Sequence, residues 1–139
     1  MSIRKLSRAS RLACLAINSL LFFGSTLDIA FAAATDFSSY QYSCNDIDVA
    51  GAILKASCGR INSTYNTTGI LIRGIYNNNG VLQYTSSPTE NSSYQSSCKN
   101  IYVIGAYLTA TCLRANLTYN TTSIPIRGIY NDDGVLRYS

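Results

Sequence analysis

The chain has 139 residues, a formal net charge of +4, five cysteines, 11 tyrosines and no histidine. A chain of this length buries one modest core, and the lack of histidine excludes a Ser–His–Asp triad and a histidine proton shuttle. The composition therefore argues against histidine-based catalysis.

The first segment, residues 1–34, is predicted to be a secretory signal peptide. A basic start precedes an apolar run over residues 12–27, and small residues offer a cleavage position at about 32–34. An uncleaved membrane anchor is the alternative. The run is shorter than the roughly 20 residues that a span needs, and Asn18 and Asp28 interrupt the apolar segment. The protein is therefore predicted to be secreted and extracellular.

Removal of this leader changes the charge of the protein. It contains four of the 11 cations and one of the seven acids, which leaves seven cations and six acids, a net charge of +1. No basic stripe remains that could hold phosphates. Nucleic acid is therefore excluded as a partner, and no stable membrane insertion is expected after cleavage.

The remaining chain, residues 35–139, is a tandem duplication. Residues 38–85 align without gaps on residues 92–139 with about two-thirds of the positions identical, and residues 86–91 form a short polar linker. Because each copy is too small to bury a core of its own, the copies are expected to pack on each other or exchange strands within one pseudo-symmetric all-β domain.

The first predicted strand follows a short turn near Phe37–Tyr40. Ala, Leu, Ala and Cys recur at alternate positions over residues 52–58 and again over residues 106–112, whereas the residues between them differ. A period of two with one constant face indicates a half-buried strand.

Two further strands are predicted in each copy. Residues Gly59–Gly69 are rich in Asn, Ser and Thr and are predicted to form a loop, with a second strand over Ile70–Tyr76. Residues Asn77–Gly80 predict a hairpin turn before a third strand over Val81–Thr85, because Asn and Gly tolerate left-handed backbone. In the second copy, Pro125 replaces Leu71 inside the second strand, so this position is expected to lie at an edge or a bulge.

The cysteines predict disulfides. Cys14 leaves with the leader, and the four that remain are Cys44, Cys58, Cys98 and Cys112. They allow three connectivities, and the identity of the copies favours one bridge inside each copy, Cys44–Cys58 and Cys98–Cys112. A closed loop of about 15 residues contributes roughly 3 kcal/mol. Zinc is the alternative, but the intervals are long and histidine is absent, so no metal and no cofactor are predicted.

The carboxylates give little support to an enzyme. Asp46 and Asp48 have no acidic counterpart in the second copy, and a glycosidase needs two carboxylates about 5–10 Å apart across a cleft. Asp132 and Asp133 likewise have no acidic counterpart in the first copy. Short polar side chains and tyrosines suit sugar hydroxyls and ring faces, although turns explain the same Asn and Asp residues equally well.

Several duplicated motifs carry a family resemblance. They are Cys-x₁₃-Cys, an Arg two residues past each bridge, Tyr-Asn-Thr-Thr-x-Ile, and a closing Asn-x-(Asn/Asp)-Gly-x-Leu-x-Tyr. This series over residues 36–139 resembles the cyanovirin-N homology (CVNH) lectins. The resemblance implies two triple-stranded sheets and β-hairpins, with each half combining strands of both repeats. It also implies metal-independent binding of mannose-rich glycans, through terminal α1,2-linked mannose, by a monomer or a domain-swapped dimer.

The resemblance assigns two pockets, which we name by one turn residue each. The Asn79 site combines the turn of the first repeat with the flanks of the second repeat's cysteines: Asn77, Asn78, Asn79, Ser96, Ser97, Leu113, Arg114 and Ala115. The Asp133 site is its counterpart: Tyr42, Ser43, Gly59, Arg60, Ile61, Asn131, Asp132 and Asp133. The predicted main hydroxyl partners are Asn77, Asn79, Asn131 and Asp133, with Ser43 and Ser97 as secondary donors. For Arg60 and Arg114 a structural role, pairing with a carboxylate to hold a loop, is favoured over sugar contact.

Departures from the family pattern leave an alternative function open. Ser96-Ser97 stand where well-known members have Glu-Thr, and Leu113 and Ala115 replace polar residues. The alternative is an extracellular or cell-wall structural or interaction module with degenerate sugar sites. Five Asn-x-Ser/Thr sequons also predict N-glycosylation in a eukaryotic host: Asn62, Asn66, Asn91, Asn116 and Asn120.

Overall fold

The computed structural model describes residues 36–139, and the predicted signal peptide lies outside them. Each repeat contributes five strands and one short 3-10 helix. In the first repeat the helix is Tyr40–Tyr42 and the strands are β1 (Cys44–Ala50), β2 (Ile53–Gly59), β3 (Tyr65–Leu71), β4 (Ile75–Asn78) and β5 (Val81–Tyr84). In the second the helix is Tyr94–Ser96 and the strands are β6 (Cys98–Ile104), β7 (Tyr107–Leu113), β8 (Tyr119–Pro125), β9 (Ile129–Asp132) and β10 (Val135–Tyr138).

These strands form two triple-stranded antiparallel sheets and two hairpins. The sheet orders are β1–β2–β3 and β6–β7–β8, and the hairpins are β4–β5 and β9–β10. The disulfides Cys44–Cys58 and Cys98–Cys112 join directly opposed residues of the first two strands in each sheet. The predicted all-β class, sheet pattern and disulfide pairing are therefore confirmed.

The strand predictions were wrong in three respects. The predicted loop Gly59–Gly69 contains most of β3, whose polar residues suit an edge strand with one solvated face. Ile70–Tyr76 is divided between β3 and β4, and Gly74 at φ +74° lies between them. Strand β1 was missed because a bulge at Asp46, φ +51°, interrupts the period-two pattern.

The predicted hairpin turns and the edge position of Pro125 are confirmed. Asn79 and Gly80 have φ values of +51° and +90°, so both central turn residues are left-handed, as a tight hairpin requires. Asp133 and Gly134 repeat this geometry at +48° and +92°. Pro125 ends β8, an edge strand, where its missing N–H interrupts no sheet ladder.

One core spans both repeats. The predicted inward faces of β2 and β7 are buried at Leu54, Ala56, Leu108 and Ala110. On the opposite face Thr109 is also buried, and its hydroxyl pairs with that of Ser123 at 2.7 Å. Burial of these alternating side chains supplies the main driving force for the fold.

Two buried tyrosines bind the repeats together. Tyr40 donates its hydroxyl to the carbonyl of Gly105 at 2.7 Å, and Tyr94 donates to the carbonyl of Gly51 at 2.7 Å. Both rings are fully buried, and this burial raises the pKa of each phenol well above its usual value. A buried tyrosine of each repeat therefore donates a hydrogen bond to a backbone carbonyl of the other repeat.

Each hairpin packs on the sheet of the other repeat. The N–H of Leu82 in β5 donates to the Thr122 hydroxyl in β8 at 3.2 Å, and that of Leu136 in β10 donates to Thr68 in β3 at 3.2 Å. This arrangement brings each hairpin turn to the end of a sheet from the opposite repeat. Over residues 36–139, no helix has the length and apolar character needed to cross a membrane.

Candidate functional site

Asn77 fastens the first hairpin turn to the second repeat. Its Nδ2 donates to the Ser97 hydroxyl and to the Leu113 carbonyl, each at 2.9 Å. Its Oδ1 accepts the N–H of Gly80 at 2.7 Å, which closes the turn. The structure therefore brings Asn77, Ser97 and Leu113 together as predicted.

Asn131 does the same for the second hairpin turn. Its Nδ2 donates to the Ser43 hydroxyl at 3.0 Å and to the Gly59 carbonyl at 2.9 Å, and its Oδ1 accepts the N–H of Gly134 at 2.7 Å. Both amide hydrogens of Asn131, like those of Asn77, are thus engaged. The role of Asn77 and Asn131 as partners of sugar hydroxyls stays a prediction. For that role each side chain has one remaining Oδ1 lone pair, which can accept a hydrogen bond.

Asn79 and Asp133 present a polar atom to solvent beside these turns. The Oδ1 of Asn79 accepts the N–H of Ala115 at 2.8 Å, and the Oδ1 of Asp133 accepts the N–H of Ile61 at 2.8 Å. In the part of the chain that the structure describes, Asn79 Nδ2 and Asp133 Oδ2 have no protein partner. Both residues are exposed, so these atoms are available to a ligand.

The two arginines hold their own loops and cover the turn glycines. Arg60 donates to the Thr64 hydroxyl at 3.3 Å, and Arg114 donates to Thr118 at 3.3 Å, so the expectation of a carboxylate partner was wrong. A Cβ added to Gly134 would lie 2.7 Å from Arg60 Cγ. The arginine stem therefore lies flat on the turn, and the guanidinium reaches the surface of the site.

Asn66 and Asn120 are positioning residues that the sequence reading missed. Asn120 Nδ2 donates to the carbonyl of Gly80 at 2.7 Å, and Asn66 Nδ2 donates to that of Gly134 at 2.7 Å. Their identity in both copies was the available signal, but both were assigned only as sequons. A glycan attaches at Nδ2, the atom that holds each turn, so we expect few glycans at these two positions in the folded protein.

The other three sequons are compatible with the fold. Asn62, Asn91 and Asn116 are all exposed. Asn62 Oδ1 accepts from the N–H and the hydroxyl of Thr64, which leaves its Nδ2 toward solvent, and Asn116 repeats this turn with Thr118. N-glycosylation at these three positions stays a prediction.

The Asp133 site is an open groove of about 600 Å³. Its lining residues are Ser43, Gly59, Arg60, Ile61, Tyr65, Asn131, Asp132 and Asp133. All of the predicted residues except Tyr42 are among them. The Tyr42 side chain is 85% exposed and lies beside the groove next to Ser43. Tyr65 was missed because its segment was predicted to be a loop, and it adds an aromatic ring.

The Asn79 site repeats this framework with different side chains. Ser96, which corresponds to Tyr42, donates its hydroxyl to the carbonyl of Ser93 at 2.8 Å and so turns back on its own helix. Asn78 donates to the side chain of Gln83 at 2.8 Å. Tyr119 corresponds to Tyr65 and is 48% exposed. The site therefore keeps an aromatic ring and the free amide of Asn79.

Hydrogen bonding and ring contact are the chemistry that both sites offer. Over residues 36–139, no three His, Cys, Asp or Glu side chains are grouped in a way that could hold a metal ion. Asp132 is paired with Arg137 at 2.9 Å, and Asp133 already accepts a backbone N–H. Polar forks next to an exposed tyrosine ring match the hydroxyl edge and the apolar face of a sugar.

Comparison with known proteins gives one family and several solved structures. A family model described as the CVNH domain matches residues 40–137. A MoCVNH3 variant in complex with (N-GlcNAc)4 is 17% identical with a TM-score of 0.61, and the match covers 75% of this chain and 99% of that one. The CVNH of T. borchii is 22% identical with a TM-score of 0.60, covering 73% and 99%. The microvirin:mannobiose complex is 22% identical with a TM-score of 0.56, covering 73% and 99%.

Proposed function

Because the chain belongs to the CVNH family, we propose that it is a secreted lectin that binds mannose-rich glycans at the Asn79 and Asp133 sites, without metal. Terminal α1,2-linked mannose is the proposed determinant. The observation that carries this proposal is the free polar atom of each turn, Asn79 Nδ2 or Asp133 Oδ2; Tyr65 lines the same groove as Asp133, and Tyr119 is its exposed counterpart in the second repeat.

The similar structures support a saccharide ligand in general terms. Microvirin is described with mannobiose, and the MoCVNH3 variant with (N-GlcNAc)4. Both are oligosaccharides, which fits an open groove lined by hydroxyl, amide and guanidinium groups. The choice of mannose over N-acetylglucosamine rests on the motif series of this chain and needs a direct test.

Titration calorimetry of the bridged, mature protein tests the proposal. We expect α1,2-linked mannobiose to bind with a stoichiometry near two and (GlcNAc)4 to bind more weakly. Single sites for sugars are weak, and tight binding of a glycan array comes from engaging both sites at once. A stoichiometry of one identifies a silent site, and no heat with either sugar rejects the lectin proposal.

A specific observation favours a second candidate function. Ser96 turns its hydroxyl away to Ser93, and the apolar Leu113 and Ala115 flank the Asn79 site. An extracellular or cell-wall interaction module with degenerate sugar sites would have this composition. The variant Asp133→Ala blocks the Asp133 site and leaves the Asn79 site intact. If this variant still binds sugar, the alternative is rejected.

The oligomeric state is a monomer or a domain-swapped dimer. Both hairpins already pack on the sheet of the opposite repeat, so the same contacts form between two chains if the linker, residues 86–91, extends. Light scattering of the mature protein distinguishes the two forms.

A further inference from the structure

The two sites are built on one scaffold and differ in charge. In both, the third turn residue accepts a backbone N–H from the opposite repeat at 2.8 Å: Asn79 from Ala115, and Asp133 from Ile61. The same anchor therefore fixes the second atom of each side chain at the equivalent place. That atom is an N–H donor in the Asn79 site and a carboxylate oxygen in the Asp133 site.

The residues around each turn extend this difference. Asp132 forms an ion pair with Arg137 at 2.9 Å, whereas its counterpart Asn78 bonds the neutral amide of Gln83 at 2.8 Å. The Asn79 turn therefore carries no carboxylate. Two carboxylates stand in the Asp133 turn.

The two sites have equal numbers of cations, at partly different positions. Both sites contain one loop arginine, Arg114 or Arg60. Beside the Asn79 site, Lys99 Nζ also lies 4.0 Å from the ring centre of Tyr119, and the corresponding residue in the first repeat is the neutral Asn45. The Asn79 site therefore has two cations, Arg114 and Lys99, and no acid. The Asp133 site has two cations, Arg60 and Arg137, and two acids, Asp132 and Asp133, so its formal charge is zero.

We propose that the Asn79 site selects saccharides that carry an anionic substituent, a phosphate ester or a carboxylate, and that the Asp133 site selects neutral saccharides. The inference rests on the proposed function, because it assigns a ligand class to each of the same two sites. An anion next to Arg114 and Lys99 gains Coulomb energy and charge-assisted hydrogen bonds. At the Asp133 site the free carboxylate oxygen repels the anion and accepts the hydroxyl of a neutral sugar.

A site-resolved NMR titration tests the selection. The backbone amide of Ala115 reports the Asn79 site, and that of Ile61 reports the Asp133 site, because each donates to the turn residue concerned. The probes are α1,2-mannobiose and the same disaccharide with a phosphate ester or a carboxylate at the terminal C6. For both anionic probes we expect a dissociation constant about three- to tenfold lower at Ala115 than at Ile61, the size of one screened charge contact near a surface.

Reciprocal variants supply matched controls. Asn79→Asp and Asp133→Asn each give a turn the residue that the other turn already holds in the same geometry, so both should fold. Asn79→Asp should remove the preference for the anionic probes at Ala115, and Asp133→Asn should create one at Ile61. Lys99→Asn copies the first repeat and should weaken anionic binding at Ala115 about threefold. High salt should reduce the preference.

The outcomes separate this inference from the proposed function. If mannobiose shifts both reporters while neither anionic probe prefers Ala115, the lectin proposal stands and the charge selection is wrong. Preference for only the phosphate or only the carboxylate supports the selection and identifies the anion. If no probe shifts either reporter, the sites do not bind saccharides and both proposals fail.

Discussion

Asn120 donates its side-chain amide to the carbonyl oxygen of Gly80 at 2.7 Å, so the sheet of the second repeat holds the hairpin turn of the first. Asn66 and Gly134 form the mirror contact at 2.7 Å. Each candidate site is therefore assembled from both repeats, and neither repeat contains a complete site.

Replacing Asn120 by alanine should destabilise the protein and impair one site only. The half-buried Gly80 carbonyl loses its donor, which costs about 1–2 kcal/mol. Urea denaturation measures this loss, and the Ala115 and Ile61 amides report binding at each site. We expect weaker sugar binding at Ala115 with Ile61 unaffected, and the reverse for Asn66→Ala. If Asn120→Ala weakened sugar binding equally at both sites, the assignment of Asn120 to one turn and Asn66 to the other would be wrong.

Replacing Gly134 by alanine should destabilise the fold by about 1–3 kcal/mol. The new Cβ would meet Arg60 Cγ at 2.7 Å on a residue with φ +92°. Gly51→Ala is the matched control, because Gly51 also has positive φ, +61°, but no atom lies within 4 Å of its added Cβ. The difference between the two variants in thermal denaturation measures the clash together with the greater backbone strain at φ +92°. Equal destabilisation would mean that the packing of Arg60 contributes nothing.

Alkaline pH should destabilise the protein through its buried tyrosines. Burial raises the pKa of Tyr138 to about 12, and it raises the pKa values of Tyr40 and Tyr94 as well. A phenol whose pKa is raised by folding holds its proton more tightly in the native state. Its contribution is therefore complete below pH 10, the usual value, and is lost as the pH rises through the folded pKa.

Chemical denaturation between pH 8 and pH 12 measures this effect. Each such tyrosine adds a slope of at most about 1.4 kcal/mol per pH unit above pH 10. Tyr40→Phe should lower stability at pH 8 by about 1 kcal/mol, since the Gly105 carbonyl loses its donor, and should flatten the alkaline slope. Tyr42→Phe, at an 85% exposed position, should leave both unchanged. An unaltered slope in Tyr40→Phe would contradict the prediction.

Secretion from a eukaryotic host should give an unequal pattern of N-glycans. Asn62 and Asn116 are exposed with Nδ2 toward solvent, whereas Asn66 and Asn120 use Nδ2 to hold the turns. Mass spectrometry of glycopeptides from the folded, secreted protein should find sugar at Asn62 and Asn116 and none at Asn66 and Asn120. A glycan at Asn66 or Asn120 in protein that still binds sugar would show that these side chains are not needed to hold the turns.

Local sequence patterns were sufficient for much of the fold. The alternation around Leu54 and Leu108 identified one strand of each sheet, and the Asn-Gly chemistry at Asn79-Gly80 identified the turn. Strand β3 was missed because it is a polar edge strand. Backbone hydrogen bonds hold it to β2, and they leave no alternation of apolar and polar side chains in the sequence. The bulge at Asp46 likewise hid β1.

The duplicated motifs were sufficient to predict the disulfides, and most of the residues that they assigned to the Asp133 site line one groove. They could not distinguish the tasks of those residues. Asn77 and Asn79 are two positions apart in one turn, yet the first uses both amide hydrogens inside the protein and the second directs its amide to solvent. Only the position of the opposite repeat decides this, because its Ser97, Leu113 and Ala115 supply the partners.

The sequence by itself determined the all-β class, the duplication, the bridges and the family resemblance, since these depend on residue type, spacing and chain-local turn preferences. The tertiary structure decided which hairpin meets which sheet, and through this which side chains remain free for a ligand. Hydrogen bonds such as the one from Tyr40 to Gly105 join residues 65 positions apart. Such pairs form because two small repeats must share one core, and no local pattern encodes the partner.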